Sequence, residues 1–337
     1  MQTSRRSILK GSILASLAGT MGATAMSASA AEKQAALPKK EYDLVICGLG
    51  IGGIVTAIRA AQDGLKPVIL EKMSSASGNT IYSAGFMLGV NTKMQQEKKL
   101  ETGDTVDKFY EDMMKVSQGR GDPKLTRLVA EKADETLNWL HDYVGVKYAV
   151  GMKLVWPMLQ RAHLTIGEKK PGGTQLMLYL LAKAKELNVP IVYNAKAVEL
   201  LDNPQNGKVI GVKVKSKEGF EEYFGKYGVV MATGGFSANK MMLTMMAGVP
   251  AANMPVRGSH SVTGESILLT GPYFPKVVNV DQYHCGPIHG PTGANPLNIV
   301  NTGIAVSKET KRYTDEGKTY VCLLYTSDAA DDLIGVD

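Results

Sequence analysis

The stretch Tyr42 to Lys72, YDLVICGLGIGGIVTAIRAAQDGLKPVILEK, admits few folds. Asp43 to Cys47 predicts a short buried strand, Gly48-Leu49-Gly50-Ile51-Gly52-Gly53 a tight turn, Ile54 to Gly64 a helix, and Pro67 to Leu70 a second strand. The order is βαβ. Gly48 permits the sharp turn, Gly50 lets the backbone approach a pyrophosphate, and Gly53 lets helix and strand pack closely, with the helix N-terminus facing the phosphate charge. Glu71 arrives 23 residues after Gly48, where a carboxylate can accept both hydroxyls of an adenosine ribose, and Lys72 follows it. The stretch reads as a dinucleotide-binding unit.

With 337 residues the chain is long enough for two domains, and 44% hydrophobic with 21% charged residues is an ordinary globular composition. Net charge is +6, and Arg5, Arg6 and Lys10 sit in an apparent leader. No basic cluster with interleaved aromatics stands elsewhere, so no nucleic-acid partner is expected. Cys47 lies in the first strand, Cys285 stands beside His284, and Cys322 falls near the end. Their spacing suggests no disulfide, no zinc or other metal site and no CxxCH haem attachment.

Ser4-Arg5-Arg6-Ser7-Ile8-Leu9-Lys10 matches the twin-arginine export pattern, and a weakly apolar run to Met26 precedes Ala28-Ser29-Ala30, an A-x-A cleavage signal. A membrane anchor needs about 20 apolar residues, and this run is shorter and rich in Gly, Ser and Thr. Residues 1–30 are thus expected to be a signal read by the Tat translocase and cleaved near Ala30, delivering the protein to the periplasm already folded. Residues 31–40 read as a linker, too short for a haem domain ahead of the nucleotide motif.

Downstream, Ser77-Gly78-Asn79-Thr80-Ile81-Tyr82-Ser83-Ala84-Gly85-Phe86-Met87 is dense in small residues, as suits backbone passing a planar ring and a pyrophosphate. Met94 to Lys115 reads as a solvated helical face. Asp122 caps and Pro123 starts a helix whose Leu125, Leu128, Val129, Ala133, Leu137 and Leu140 share helical spacing, with Trp139-Leu140 in the core. A helix is expected over Gln175 to Glu186 after Gly172-Gly173-Thr174, then strands over Val189–Tyr193 and Ala197–Leu200, and a hairpin-like region from Lys208–Val214 and Tyr223–Met231.

The Ser77–Met87 stretch resembles the second flavin signature, GGNS..SAGG, of the fumarate reductase and succinate dehydrogenase flavoprotein family, which includes soluble flavocytochrome c and urocanate reductase relatives. Val229-Val230-Met231-Ala232-Thr233-Gly234-Gly235-Phe236 resembles its ATGGF signature, and Thr263-Gly264-Glu265 its TGD, with Glu in place of the usual Asp. The resemblance covers Tyr42 to about Tyr320. It implies an α/β fold: a Rossmann-like FAD-binding domain of the glutathione-reductase type over 41–283, then the beginning of an α+β capping domain over 284–321. It also implies FAD as cofactor, held by Gly48, Gly50, Gly52, Gly53, Glu71, Lys72, Gly78, Asn79, Thr80, Ser83, Ala84, Gly85, Val198 (beside adenine), Ala232, Thr233, Gly234, Gly264 and Glu265.

In such proteins the flavin N5 exchanges a hydride with one carbon of a polarised C=C or C–C bond, and the protein grips the activating group and supplies a proton to the neighbouring carbon. Gln282-Tyr283-His284 aligns with the family's substrate-binding histidine, and Gly303 follows His284 by the family's 19 residues. The family's substrate-binding Thr-Glu pair falls on Pro296-Leu297, which argues against fumarate or succinate. Lys311-Arg312-Tyr313-Thr314-Asp315-Glu316 resembles the KRF.NE motif, and the arginine proton donor expected four residues later is Tyr320, unless a local gap shifts the alignment. A phenol can donate a proton, so Tyr320 and His284 are the catalytic candidates, and the substrate class moves toward an enone or aryl acrylate. His163 and His289 are weaker ligand candidates, His260 reads as surface, and Cys285 as a small buried residue.

From Cys322 the sequence CLLYTSDAADDLIGVD resembles no part of the family and looks like a translated sequencing adapter, the alternative being a divergent tail. The expected function is an exported FAD-dependent oxidoreductase acting on a small unsaturated substrate, with electrons exchanged through a separate cytochrome or flavin carrier. The competing expectation is a non-catalytic FAD-binding subunit, motivated by Pro296, Leu297 and Tyr320.

Overall fold

A computed structural model of the chain describes residues 37–100, 103–153, 159–168 and 171–283, with 304, 306 and 310–312 beyond them. In chain order the first elements are β1 (Lys39–Tyr42), β2 (Leu44–Cys47), α1 (Ile51–Gln62), β3 (Pro67–Leu70), α2 (Asn79–Tyr82), β4 (Phe86–Leu88), α3 (Lys93–Glu97), α4 (Val106–Val116) and α5 (Pro123–Trp139). A π-helical turn, Leu140–Val144, leads into β5 (Lys147–Met152), β6 (Ala162–Ile166) and α6 (Gly173–Glu186). Then come β7 (Ile191–Val192), β8 (Lys196–Asp202), β9 (Val209–Lys215), β10 (Phe220–Gly225), β11 (Val229–Met231), α7 (Lys240–Ala247), α8 (Val249–Asn253) and α9 (Glu265–Thr270).

The central sheet is parallel, in the order β11-β2-β3-β7, and its strands are apolar on both faces because both faces are covered. Ile46 and Ile69 point to one side, where they meet Ile54, Ala57 and Ile58 of α1 and Leu176, Leu180 and Ala184 of α6. Val45, Cys47, Val68 and Leu70 point to the other, against Leu200, Val212, Val214 and Tyr223 of a second sheet ordered β1-β10-β9-β8. Each Val, Leu or Ile among them taken fully out of water contributes about 1.5–3 kcal/mol before ordering entropy is counted. Burial also pushes the Cys47 thiol up to about 12, so it packs as an inert apolar group.

The first helix begins at Ile51, three residues earlier than its apolar pattern suggests, so the last glycines of the turn already lie in its first turn. Gly48 has φ +110°, and a Cβ there would sit 2.4 Å from the Ala232 carbonyl oxygen. Both conditions require glycine, and they lock the turn against the end of the adjacent parallel strand β11.

Three expectations need correction. Tyr223–Met231 is not one hairpin strand: the chain breaks at Lys226–Gly228, leaving β10 antiparallel to β9 while β11 joins the other sheet parallel to β2. The apolar positions of α5 do not form one core face. Ala130, Leu137 and, just beyond the helix, Leu140 are buried, whereas Leu125, Leu128 and Val129 are 63%, 52% and 54% exposed, since in the early turns it is Arg127, bonding Asp107 and stacking on Tyr110, that meets α4. Met94 to Lys115 is two helices, and it buries Met94, Gln95 and Phe109.

His163 is fully buried on β6 and belongs to the packing. The Arg161 carbonyl 2.9 Å from Nδ1 can only accept, so Nδ1 carries the proton and Nε2 accepts from the Thr92 hydroxyl at 2.8 Å. Beside it the Arg161 guanidinium binds Asp104 at 2.5 and 2.7 Å and Asp112 at 2.7 Å, fastening the β4-β6-β5 sheet to α4. Desolvation lowers the His163 pKa, outweighing the backbone contacts to Arg161 and Met87 that raise it.

Two outcomes follow from this packing. Gly48→Ala should cost at least about 1–3 kcal/mol of unfolding free energy, read as a lower urea midpoint. For His163, a folded pKa depressed below the unfolded value of about 6.5 leaves stability intact above that pH and removes it as pH falls through the folded value. Urea midpoints should therefore decline from pH 7 to 5, and a His163→Gln variant should show a flatter profile over that window.

Candidate functional site

The C-terminal ends of β2, β3 and β11 open into a pocket of ≈ 420 Å³, within the size range of small-molecule sites. Its floor is the glycine turn. Gly48, Leu49, Gly50, Ile51 and Gly52 line it, and a Cβ on Gly52 would meet no atom within 4 Å, so this side of the first turn faces open space. The amides of Gly52 and Gly53 have no protein acceptor among the described residues, whereas that of Ile51 donates to Thr80 Oγ1 at 2.9 Å. Free amides at the positive end of a helix suit an anion.

Glu71 ends β3 and is 6% exposed. Its Oε2 accepts from the Leu49 amide at 3.0 Å and its Oε1 from the Met73 amide at 2.8 Å, so the carboxylate is fixed in position with lone pairs left for hydroxyl donors. Its own backbone bonds Val192 and Ala195 at 2.8 Å, which brings Ala195, Lys196 and Ala197 into the wall.

Opposite stand Ala232, Thr233 and Gly234 and the loop that ends in α9. Lys72 Nζ lies 2.5 Å from Glu265 Oε1 and 3.0 Å from Thr263 Oγ1, and the Thr263 hydroxyl donates to the same carboxylate oxygen at 2.6 Å. Burial disfavours the Glu265 carboxylate, but Lys72, Thr263 and its own amide outweigh that and hold its pKa below the ordinary glutamate value. Its second oxygen, Oε2, is buried without a partner among the described residues. Glu265 thus holds Lys72 and Thr263 through one oxygen and keeps the other buried within the pocket wall.

Of the positions expected to hold the cofactor, the pocket gathers Gly48, Gly50, Gly52, Glu71, Lys72, Gly78, Asn79, Thr80, Ala232, Thr233, Gly234 and Glu265. Gly53 is behind the floor, where a Cβ would clash with the Gly48 carbonyl oxygen at 2.0 Å. Val198 and Gly264 do not line it; the lining of that strand runs from Ala195 to Ala197, because Glu71 anchors the chain there. Ser83, Ala84 and Gly85 lie outside it too, packed on the Gly172-Gly173 start of α6. Ser261, Val262 and Ser266 are lining residues that the motifs did not mark. His284, His289, Cys285, Pro296, Leu297 and Tyr320, the leader and the C-terminal stretch lie outside the described residues.

Residues 43–270 match the family described as FAD binding domain. The chain belongs to that family. It is 31% identical over 241 residues to the acrylate reductase flavoprotein subunit of Shewanella woodyi, covering 68% of this chain and 46% of that protein. A probable fumarate reductase of Shewanella frigidimarina is 26% identical over 300 residues, covering 89% of this chain and 49% of the relative. Among solved structures, the open conformation of a flavocytochrome c3 fumarate reductase superposes with a TM-score of 0.76 at 25% identity, covering 89% of this chain and 52% of that one. The chain thus spans about half the length of these relatives.

The cofactor of this flavoprotein is FAD, and the pocket fits it: free amides at one end of a glycine floor for an anion, and a fixed buried carboxylate for hydroxyls. Lys72→Met tests the electrostatics of the opposite wall. Glu265 contributes stability above its unfolded pKa of about 4.3 and loses it as pH falls through the lower folded value. Removing the ammonium raises that folded value, so acid unfolding should begin at higher pH. At pH 7 unfolding free energy should drop by about 1–3 kcal/mol, less than for a fully buried pair, as read by urea titration across pH 3–7.

Proposed function

We propose that this protein is an FAD-dependent oxidoreductase that reduces a polarised C=C bond of a small organic substrate, drawing electrons from a separate cytochrome or flavin carrier. The observation that carries the reading is the glycine turn with free helix-terminal amides beside a fixed Glu71, in a chain similar to an acrylate reductase flavoprotein subunit. When bound, FAD supplies hydride chemistry at its N5.

The chain's own residues do the holding. Gly50 and Gly52 admit the pyrophosphate to the α1 terminus, Glu71 accepts the adenosine ribose hydroxyls, and the Ala195–Ala197 backbone flanks adenine. Thr80, Ala232, Thr233 and Glu265 border the path toward the ring, which is carried to Ser83-Ala84-Gly85. His284 grips the substrate and Tyr320 donates the proton, in a capping domain that begins near residue 284. Fumarate and succinate are disfavoured by Pro296-Leu297, leaving acrylates with larger substituents or enones. The Arg5-Arg6 leader exports the loaded protein to the periplasm through the Tat translocase.

The test is anaerobic. Holoprotein reduced by a low-potential dye should be reoxidised by an aryl acrylate or a cyclic enone faster than by fumarate. If none of these, acrylate included, reoxidises it, the protein is an FAD-binding subunit without this activity. Gly52→Ala should leave the stability of the FAD-free protein within about 1 kcal/mol, because the site is an exposed helical position, yet weaken FAD binding about tenfold or more in fluorescence titration.

A further inference from the structure

The loop from Gly258 to Glu265 crosses the mouth of the FAD pocket, and its two edges are fastened by different kinds of bond. On the β11 side the fastening is mainly backbone: the Gly264 amide donates to the Gly235 carbonyl and the Ala238 amide to the Val262 carbonyl, both at 3.0 Å. Asn239 Nδ2 adds a bond to the Thr263 carbonyl at 3.1 Å. On the other edge every bond uses a side chain. The Ser259 amide donates to Asn79 Oδ1 at 2.8 Å, Ser77 Oγ and Ser261 Oγ are 3.2 Å apart, and Ser259 Oγ and Ser261 Oγ 2.7 Å apart.

One assignment of protons satisfies all three hydroxyls. Ser261 Oγ donates to the Ser77 carbonyl at 3.3 Å and accepts from Ser77 Oγ and Ser259 Oγ, while Ser259 Oγ accepts from the Ser261 amide at 3.1 Å. The two strips of chain brought together are 184 residues apart in sequence. Gly258 eases their approach, since a Cβ there would sit 2.6 Å from Asn79 Oδ1 and would displace the side chain that accepts from the Ser259 amide. Gly78 and Ser261 line the pocket, whereas Ser77 and Ser259 do not, so the outer pair acts behind the wall.

We propose that Ser77, Ser259 and Ser261 form a clasp that sets how slowly FAD leaves the protein. Val262 to Gly264 is the fixed edge of the loop and Ser259 to Ser261 the edge that opens, because its side-chain bonds to Ser77 and Asn79 part at lower cost than the backbone bonds opposite. Ser77 and Ser259 are positioning residues: they hold Ser261 and the loop over the cofactor without lining the pocket themselves. The inference rests on FAD occupying this pocket and is independent of the substrate assigned above.

The experiment uses the FAD-loaded protein, with release followed by the rise in flavin fluorescence on dilution and melting of the FAD-free form measured in parallel. Ser77→Ala combined with Ser259→Ala should speed release about tenfold with the association rate unchanged and only a small fall in the melting temperature of the FAD-free protein, and Ser77→Thr should keep release slow. A second variant adds the bond instead: Ser77→Cys with Ser261→Cys, once oxidised, should slow release below the wild-type rate, and a thiol reductant should reverse it. Release within twofold of wild type in the double alanine variant, or a disulfide that forms without slowing release, overturns the clasp. Wild-type protein that binds no FAD would refute the cofactor assignment, a result distinct from either.

Discussion

The contact between Gly48 and the Ala232 carbonyl is the constraint on which the pocket depends. Both residues follow the C-terminal ends of adjacent parallel strands, and no side chain can stand between them. Because β2 and β11 pair in register, Val45 to Val229 through Cys47 to Met231, the glycine turn and the Ala232–Gly234 segment are delivered to the same edge of the sheet. On the other flank, β3 pairs with β2 and places Glu71 beside Leu49. Three crossovers thus converge on one crevice outside the strand ends, the usual location of ligands in open α/β sheets.

What the parallel sheet begins, the segment from Gly258 to Ser266 completes. It bonds Lys72 through Thr263 and Glu265, Thr233 through Ser266 at 2.6 Å, and Asn79 through Ser259. Lys72 and Asn79 follow β3 and Thr233 follows β11, so this one segment ties together two strand ends that the sheet holds on either side of β2. Its own fold is modest, a turn that runs into the start of α9, and its rigidity comes from these long-range bonds.

The βαβ unit was legible because strand, turn, helix and acid are contiguous, and each has a local cause that one window of sequence contains. The same windows misplaced what depends on distant partners. Whether Tyr223 to Met231 is one strand or two is decided by β1 and β2, which claim its two halves for different sheets. The pocket lining on that stretch covers Ala195–Ala197 and stops short of Val198, where Glu71 accepts from the Ala195 amide, a contact across 124 residues. Leu125, Leu128 and Val129 carry helical spacing, but spacing shows which residues share a face and not whether anything packs against it. The Lys72–Glu265 pair, 193 residues apart, left no local trace beyond the change from aspartate.

That pair clarifies how a pocket holding two buried carboxylates can suit a dinucleotide that is itself negatively charged. Lys72 is committed to Glu265 and Thr263, and Lys196 stands exposed at the rim, so among the described residues no basic side chain on the floor is left to neutralise a pyrophosphate. In the proposed arrangement the charge is met by the α1 terminus, whose amides at Gly52 and Gly53 have no acceptor among the described residues and whose dipole carries roughly half a positive charge. The carboxylates then serve a different end of the ligand. Glu71 is fixed by two amides and Glu265 keeps one unpartnered oxygen, and both need donors, which hydroxyls supply and phosphates do not. The pocket therefore separates its tasks by position, backbone amides for the anion and carboxylates for the sugars, and this division suits a ligand with hydroxyl-rich segments on both sides of a pyrophosphate.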